Sequence, residues 1–214
     1  MKKNYLMLSA GIIILVILAF NGVIFYKKYV NEASLCSPGN ISGNANIGGN
    51  FNLVDENEQL VSNTDVIDEP VLVYFGYTFC PDICPIDVMR NAEATELLFA
   101  KGIRIKPIFI TIDPERDTPK VLKEFTDLMH PEMLGLTGSL KQIKAASIAY
   151  RTYYKKQVSE DEYYLVDHST FTYFLTPQKG FVDFFRREDS PEKIAETISC
   201  HLKKNLITTA FKLQ

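Results

Sequence analysis

Two apolar runs set what this chain can fold into. Val71–Tyr77 and Ile105–Ile112 are continuous stretches of aliphatic and aromatic residues, without the polar alternation of a strand that faces water on one side. Such runs suit strands buried on both faces, as in sheets covered by helices on either side. Between them, from about Ile86 to Phe99, the composition is helical. A strand, a crossover helix and a second strand make the beginning of an α/β domain.

The remaining segments extend that unit. Phe51–Val54 and Gln59–Val61, separated by Asp55-Glu56-Asn57-Glu58, predict a short N-terminal hairpin. Thr118-Pro119 is a hydroxyl cap followed by proline at the first helical position, and Val121, Leu122, Phe125, Leu128 and Met129 then fall on one helical face. A further helix is expected over Ser139–Tyr153, with Leu140, Ile143 and Tyr150 inward. Strands are predicted at about Tyr163–Val166, Thr170–Leu175 and Phe181–Phe185, the last two joined by a turn at Pro177-Gln178-Lys179-Gly180. Ser190-Pro191 repeats the cap-then-proline signal for a final helix carrying Ile194, Ile198 and Leu202. The order predicts a mixed sheet flanked by helices.

The chemistry is concentrated where the first buried strand ends, in Phe75-Gly76-Tyr77-Thr78-Phe79-Cys80-Pro81-Asp82-Ile83-Cys84-Pro85. A strand-to-helix junction turns backbone N–H groups and the positive end of the helix dipole toward the sulfurs, and both favour thiolate. Pro85 disfavours helical geometry at Cys84, so the regular helix is expected to begin near Pro85. A single turn between the cysteines would set both sulfurs on the same side. Three roles fit the pair: redox exchange, as in a Cys-x-x-Cys site with one residue inserted; a two-thiolate site for a soft metal such as Cu(I) or Zn, completed by a third ligand; or a structural disulfide. Spacing alone does not choose between redox and metal. A peroxidase of peroxiredoxin type is disfavoured, because it wants a Thr-x-x-Cys nucleophile that Thr78-Phe79-Cys80 does not supply.

The chain has three histidines from which a third ligand could come. His130 closes the helix that Thr118 opens, just before Pro131, where a capping role is common. His201 lies in the last helix beside Lys203 and Lys204, a solvated setting. His168, in Val166-Asp167-His168-Ser169-Thr170, sits in the connection leading into a strong strand, and Asp167 is placed to orient its ring. In Thr111-Ile112-Asp113-Pro114-Glu115-Arg116-Asp117-Thr118, the plain reading is a turn at Asp113-Pro114, an Arg116–Asp117 pair and the Thr118 cap. Cys36 and Cys200 lie away from all of these, either as free thiols or as a pair.

At the N-terminus, Leu6 to Phe25 is almost wholly apolar, bounded by Lys2 and Lys3 before and Lys27 and Lys28 after. About 20 such residues in a helix span the roughly 30 Å hydrocarbon core of a bilayer. A cleaved signal peptide would have a shorter apolar region and a small-x-small cleavage site. Asn31-Glu32-Ala33 is a poor cleavage signal, and Leu35 before Cys36 is a poor match to a lipoprotein site. The lysines are balanced across the run, so charge does not orient it. An Arg- and Ser-rich mitochondrial presequence has no room before it, which favours a bacterial inner membrane. Ser37–Asn50, rich in Gly, Asn and Ser, reads as part of a tether. The net charge of −3 and the absence of a basic cluster give no reason to expect nucleic acid as a partner.

Several motifs in order resemble the Sco/SenC family of copper proteins required for assembling cytochrome c oxidase. They are Tyr74-Phe75-Gly76-Tyr77-Thr78, the Cys80–Pro85 segment, Thr111–Thr118, Leu134-Gly135-Leu136-Thr137-Gly138 and Val166-Asp167-His168. The likeness runs from about Ile47 to His201. It implies a thioredoxin-like fold with an N-terminal hairpin, an uncleaved anchor and a soluble domain facing the periplasm. It also implies one copper per chain, Cu(I) or Cu(II), on Cys80, Cys84 and His168, with a copper-accepting oxidase subunit as partner. A thiol-reducing partner would keep the cysteines ready for metal. The alternative role is a membrane-anchored thiol:disulfide oxidoreductase that keeps copper-site cysteines reduced. Many members carry histidine where this chain has Phe79. Thioredoxins place a cis-proline before the strand that faces their cysteines; here His168-Ser169 falls in that place. The resulting plan is an anchor over 1–28, a tether over 29–50, the thioredoxin-like domain over 51–205 and a tail over 206–214.

The apolar run predicts that Lys2 to Lys28 persist in the mature protein and hold it in the membrane pellet through alkaline carbonate extraction. N-terminal sequencing that starts near Ala33 or Cys36 would contradict this.

Overall fold

The computed structural model describes residues 13–24, 47–158 and 163–212. Residues 13–24 form a helix, α1, whose Ile13, Leu15, Ile17 and Phe20 side chains are exposed. Among the described residues no helix is long and apolar enough to cross a membrane. Residues 1–12 and 25–28 of the expected anchor, and most of the expected tether, lie outside the described residues.

The chain then runs through β1 (Asn52–Asp55), β2 (Leu60–Ser62), α2 (Asn63–Val66), β3 (Val71–Gly76), α3 (Ile83–Phe99), β4 (Lys106–Thr111), α4 (Pro119–Met129) and β5 (Leu134–Thr137). It continues through α5 (Leu140–Ala149), β6 (Tyr154–Lys156), β7 (Val166–His168), β8 (Thr172–Thr176), β9 (Gly180–Phe185) and α6 (Pro191–Lys212). Seven strands make one mixed sheet in the order β2-β1-β5-β4-β3-β8-β9, and β6 and β7 form a separate antiparallel ribbon. The parallel pairs β3–β4 and β4–β5 come from the strand–helix–strand units; the hairpin β1–β2 and the pair β8–β9 add antiparallel edges.

β3 lies inside the sheet and is buried at all six positions, as its apolar run predicts. Its alternating side chains separate two cores. On one face Tyr74 stacks on Phe109, which packs against Phe125 of α4, while the Tyr74 hydroxyl donates to Asp87 of α3. On the other, Phe75 and Tyr173 pack against Tyr150, at ring separations of 5.3 and 5.6 Å. Gly76 ends β3 at a crowded point. A Cβ there would stand 2.9 Å from both the Phe109 and the Tyr74 rings and 3.0 Å from Cys84 Sγ, closer than real Cβ contacts come. The missing side chain makes room for the sulfur.

Local signals explain most boundaries. The Thr118 hydroxyl accepts from the Val121 N–H and the Ser139 hydroxyl from the Gln142 N–H, so both helices start on capped turns. Five expectations need correction. The helix with the cysteine pair begins at Ile83 rather than near Pro85, because a proline in the first turn removes an N–H that has no intrahelical partner anyway. The helix expected to reach Tyr153 stops at Ala149, since Arg151 takes a left-handed conformation (φ 53°) that turns the chain into β6. Leu128 and Leu140 are exposed, at 80% and 57%, at the rims of their apolar stripes. The strand expected at Tyr163–Val166 begins at Val166 and carries His168. α2, β5 and β6 were not anticipated; each has only three or four residues, too few to show a period.

Candidate metal centre

Cys80 lies in the turn after β3, where its N–H donates to the Tyr77 carbonyl. Cys84 occupies the first turn of α3 and is fully buried, whereas Cys80 keeps 8% of its surface. The Cys84 N–H donates to Cys80 Sγ at 3.4 Å, so the start of the helix is aimed at the outer sulfur. Both cysteines are free thiols, which removes the structural-disulfide reading; Cys200 is disulfide-bonded.

His168 comes from the separate β6–β7 ribbon. Its Nε2 stands 3.2 Å from Cys84 Sγ, and its Nδ1 is 2.9 Å from the Ser169 carbonyl oxygen. A carbonyl only accepts, so Nδ1 carries the proton, and the Nε2 lone pair points at the sulfurs. One ligand atom from each of Cys80, Cys84 and His168 lies within 4.8 Å of the others. The expectation that Asp167 orients the ring is corrected: its carboxylate accepts instead from Gln157 Nε2, and the Ser169 carbonyl holds the imidazole. The rings of Tyr74 and Tyr77 meet His168 edge-on and fix its plane. The Tyr77 hydroxyl accepts the Val166 N–H at 3.2 Å, tying the ribbon to the cysteine turn.

The two sulfurs are electrostatically unlike. Hydrogen bonding from Cys84 is the largest effect on Cys80. Together with the backbone N–H groups of Cys84 and Asp82, it outweighs burial and lowers the thiol to about 3. Cys84 is pushed upward, first by burial and then by the neighbouring Cys80. The metal-free pair is therefore an outer thiolate and an inner thiol. Two sulfurs and an imidazole suit a soft ion such as Cu(I) or Zn(II) and leave a coordination position open.

Beneath the cysteine turn, Asp117 is fully buried and accepts from the Thr78 N–H, the Thr78 hydroxyl and the Thr111 hydroxyl. It does not pair with Arg116, whose Nε bonds Asp113. Asp117 anchors the turn that carries Cys80, a role missed in the sequence because Thr78, which supplies two of its three hydrogen bonds, lies 39 residues away. The other histidines serve elsewhere. His130 caps α4, with Nε2 3.0 Å from Glu96 and Nδ1 accepting from the Glu132 N–H. His201 lies in α6 and outside the cluster.

The family model described as SCO1/SenC matches residues 39–203. This chain belongs to the SCO1/SenC family. Protein SenC of Rhodobacter capsulatus is 44% identical over 201 residues, covering 94% of this chain and 91% of that protein. Among solved structures, Arabidopsis thaliana ScoI with copper bound superimposes with a TM-score of 0.71 at 35% identity, covering 74% of this chain and 99% of that one. Yeast Sco1 with copper bound gives 0.69 at 38% identity, covering 73% and 88%. The thioredoxin-like architecture expected from the motifs is the one this SCO1/SenC chain adopts.

Reduced, metal-free protein is expected to alkylate at Cys80 at a rate that changes little between about pH 5 and about pH 8, because a lowered thiol pKa keeps it thiolate throughout. Cys84 should stay unmodified. Peptide mapping that finds Cys84 labelled first, or a Cys80 rate rising about tenfold per pH unit over that range as for an ordinary thiol, would contradict the assignment.

Proposed function

We propose that this protein is a membrane-anchored copper carrier. It holds one copper ion on Cys80, Cys84 and His168 and passes it to a copper-accepting subunit of cytochrome c oxidase during assembly of that enzyme. The observation that supports this most is the convergence of three donors, from a turn, a helix and a separate ribbon, within 4.8 Å. Copper rather than zinc is the cargo because ScoI and Sco1, at 35% and 38% identity, are copper-bound in their solved structures. The oxidase as destination follows from the family resemblance. We place the domain on the periplasmic side of a bacterial inner membrane, held by the apolar run Leu6–Phe25.

The geometry suits release as well as capture. Cys84 is sealed in the core, while Cys80, also buried, keeps 8% of its surface and is the more accessible of the two sulfurs to an incoming thiolate. Exchange begins there: a partner's sulfur adds to the copper, Cys80 departs, and Cys84 and His168 follow. His168 brings imidazole to a pair of thiolates, which matters most for Cu(II), since two thiolates alone hold Cu(I) in near-linear geometry.

The asymmetric sulfur pair also supports the oxidoreductase reading. The Cys80 thiolate would attack a target disulfide and form a mixed disulfide while the leaving sulfur takes away the electron pair. Cys84, as thiolate, would then displace the bound target sulfur and close the Cys80–Cys84 disulfide, and an external dithiol would re-reduce it. Imidazole has no necessary step in that cycle.

His168→Ala therefore separates the two. Even outer partners of metal ligands typically matter by about 10–100-fold, so losing the ligand should weaken Cu(II) binding by at least about 100-fold and Cu(I) binding less. Reduction of a model disulfide should persist if present. In cells lacking the native protein, His168→Ala should fail to restore oxidase activity. Full restoration by this variant, with failure of Cys80→Ser, would favour the oxidoreductase instead.

A further inference from the structure

The metal centre is divided between two bodies that share no strand pairing. Cys80 and Cys84 belong to the end of β3 and the start of α3, whereas His168 rides on the β6–β7 ribbon outside the seven-stranded sheet. Something must set the ribbon against the body closely enough for Nε2 to meet sulfur. Among the side chains that touch both parts, Arg116 stacks on rings of each.

Arg116, in the loop after β4, lies with its guanidinium carbon 3.6 Å from the centroid of the Tyr164 ring, two residues before β7. The same carbon stands 4.9 Å from the Phe79 ring and 5.6 Å from the Tyr77 ring, on either side of the turn leading to Cys80. A guanidinium is a permanent cation with two flat faces, suited to stacking among several rings. Its buried Nη2 has no hydrogen-bond partner among the described residues, as expected of a group enclosed by aromatic faces instead of water. Asp113 fixes the stack: one carboxylate oxygen takes Arg116 Nε, and the other accepts the Tyr164 hydroxyl at 2.8 Å. Lys156 of β6 adds a second cation 3.6 Å from the Tyr164 ring centroid and bonds Glu115 at 3.1 Å. The body also meets the ribbon at the Val166 N–H, which the Tyr77 hydroxyl accepts, and at the His168 ring, which the Tyr74 and Tyr77 rings meet edge-on.

We propose that Arg116, held by Asp113 and stacked on Tyr164 and Phe79, is the positioning residue that registers His168 against the two cysteines. Removing the stack loosens the imidazole and leaves the thiolate pair intact. The geometry stands by itself; its consequence for copper rests on the copper reading above. This also gives Phe79 a part. An aromatic side chain at that position supplies one wall of the stack in this chain.

The test uses the full-length protein in detergent as Arg116→Ala and, in case that variant does not fold, Tyr164→Leu, which keeps the Arg116–Asp113 pair and removes the ring between the two bodies. Hydrogen–deuterium exchange on the metal-free protein reads the ribbon directly. Peptides covering residues 163–169 should exchange about tenfold faster in either variant, the scale of a lost multi-ring cation–π stack, with those covering β3 unchanged. After loading, Cu(II) should bind about tenfold more weakly and lose intensity in its sulfur-to-copper charge-transfer band, with Cu(I) affinity within about threefold of the parent. Unchanged exchange at 163–169 in both variants would overturn the proposal. So would exchange that rises equally across β3, or equal losses of Cu(I) and Cu(II) affinity, since a merely structural role produces those. If the unaltered chain takes up no copper, the copper reading fails, and the exchange data on metal-free protein still decide the role of Arg116.

Discussion

The contact between Cys84 Sγ and His168 Nε2 is the interaction on which the centre depends. It joins residues 84 positions apart, one locked into the first turn of α3 and the other carried by a ribbon that pairs with no strand of the main sheet. Each partner has its own support. The sulfur fits because Gly76 has no side chain at the place a Cβ would collide with it. The imidazole presents Nε2 because the Ser169 carbonyl keeps the proton on Nδ1. Neither support would serve without the buried β3, which fixes where the cysteine turn begins.

Burial divides labour between the two sulfurs. Taking Cys84 out of water disfavours its ionised form, while helix N–H groups and neighbouring donors favour that of Cys80. A soft ion meeting this pair would displace the remaining proton from Cys84 and gain a ligand that solvent cannot reach. The outer ligand stays exchangeable. In the proposed carrier, tight holding and ready transfer would use different atoms of one small site.

Much of this was legible in the chain. The runs at Val71–Tyr77 and Ile105–Ile112 announced buried strands, and Thr118-Pro119 and Ser190-Pro191 marked helix starts, because these signals are local. The cysteine pair was visible for the same reason. His168 was reached through the family motif and its place before a strong strand, but how the ribbon that carries it docks depends on contacts such as Arg116 with Tyr164 that no local pattern records. Asp117 was misread as the partner of its neighbour Arg116, since adjacency in sequence suggested a pair where folding supplied Thr78 and Thr111 instead. Leu128 and Leu140 show a similar limit: periodicity marks a helical face but not how far the neighbouring element covers it.

On the reading proposed above, one copper ion is held by two thiolates and the ribbon's imidazole. X-ray absorption at the copper edge of the loaded full-length chain tests it most directly. The expected result is one copper per chain, directly bonded to two sulfurs and to one nitrogen showing the outer-ring scattering of imidazole, with the nitrogen lost in His168→Ala and the sulfurs kept. A set containing only nitrogen and oxygen, or a sulfur-and-nitrogen set unchanged in His168→Ala, would contradict it.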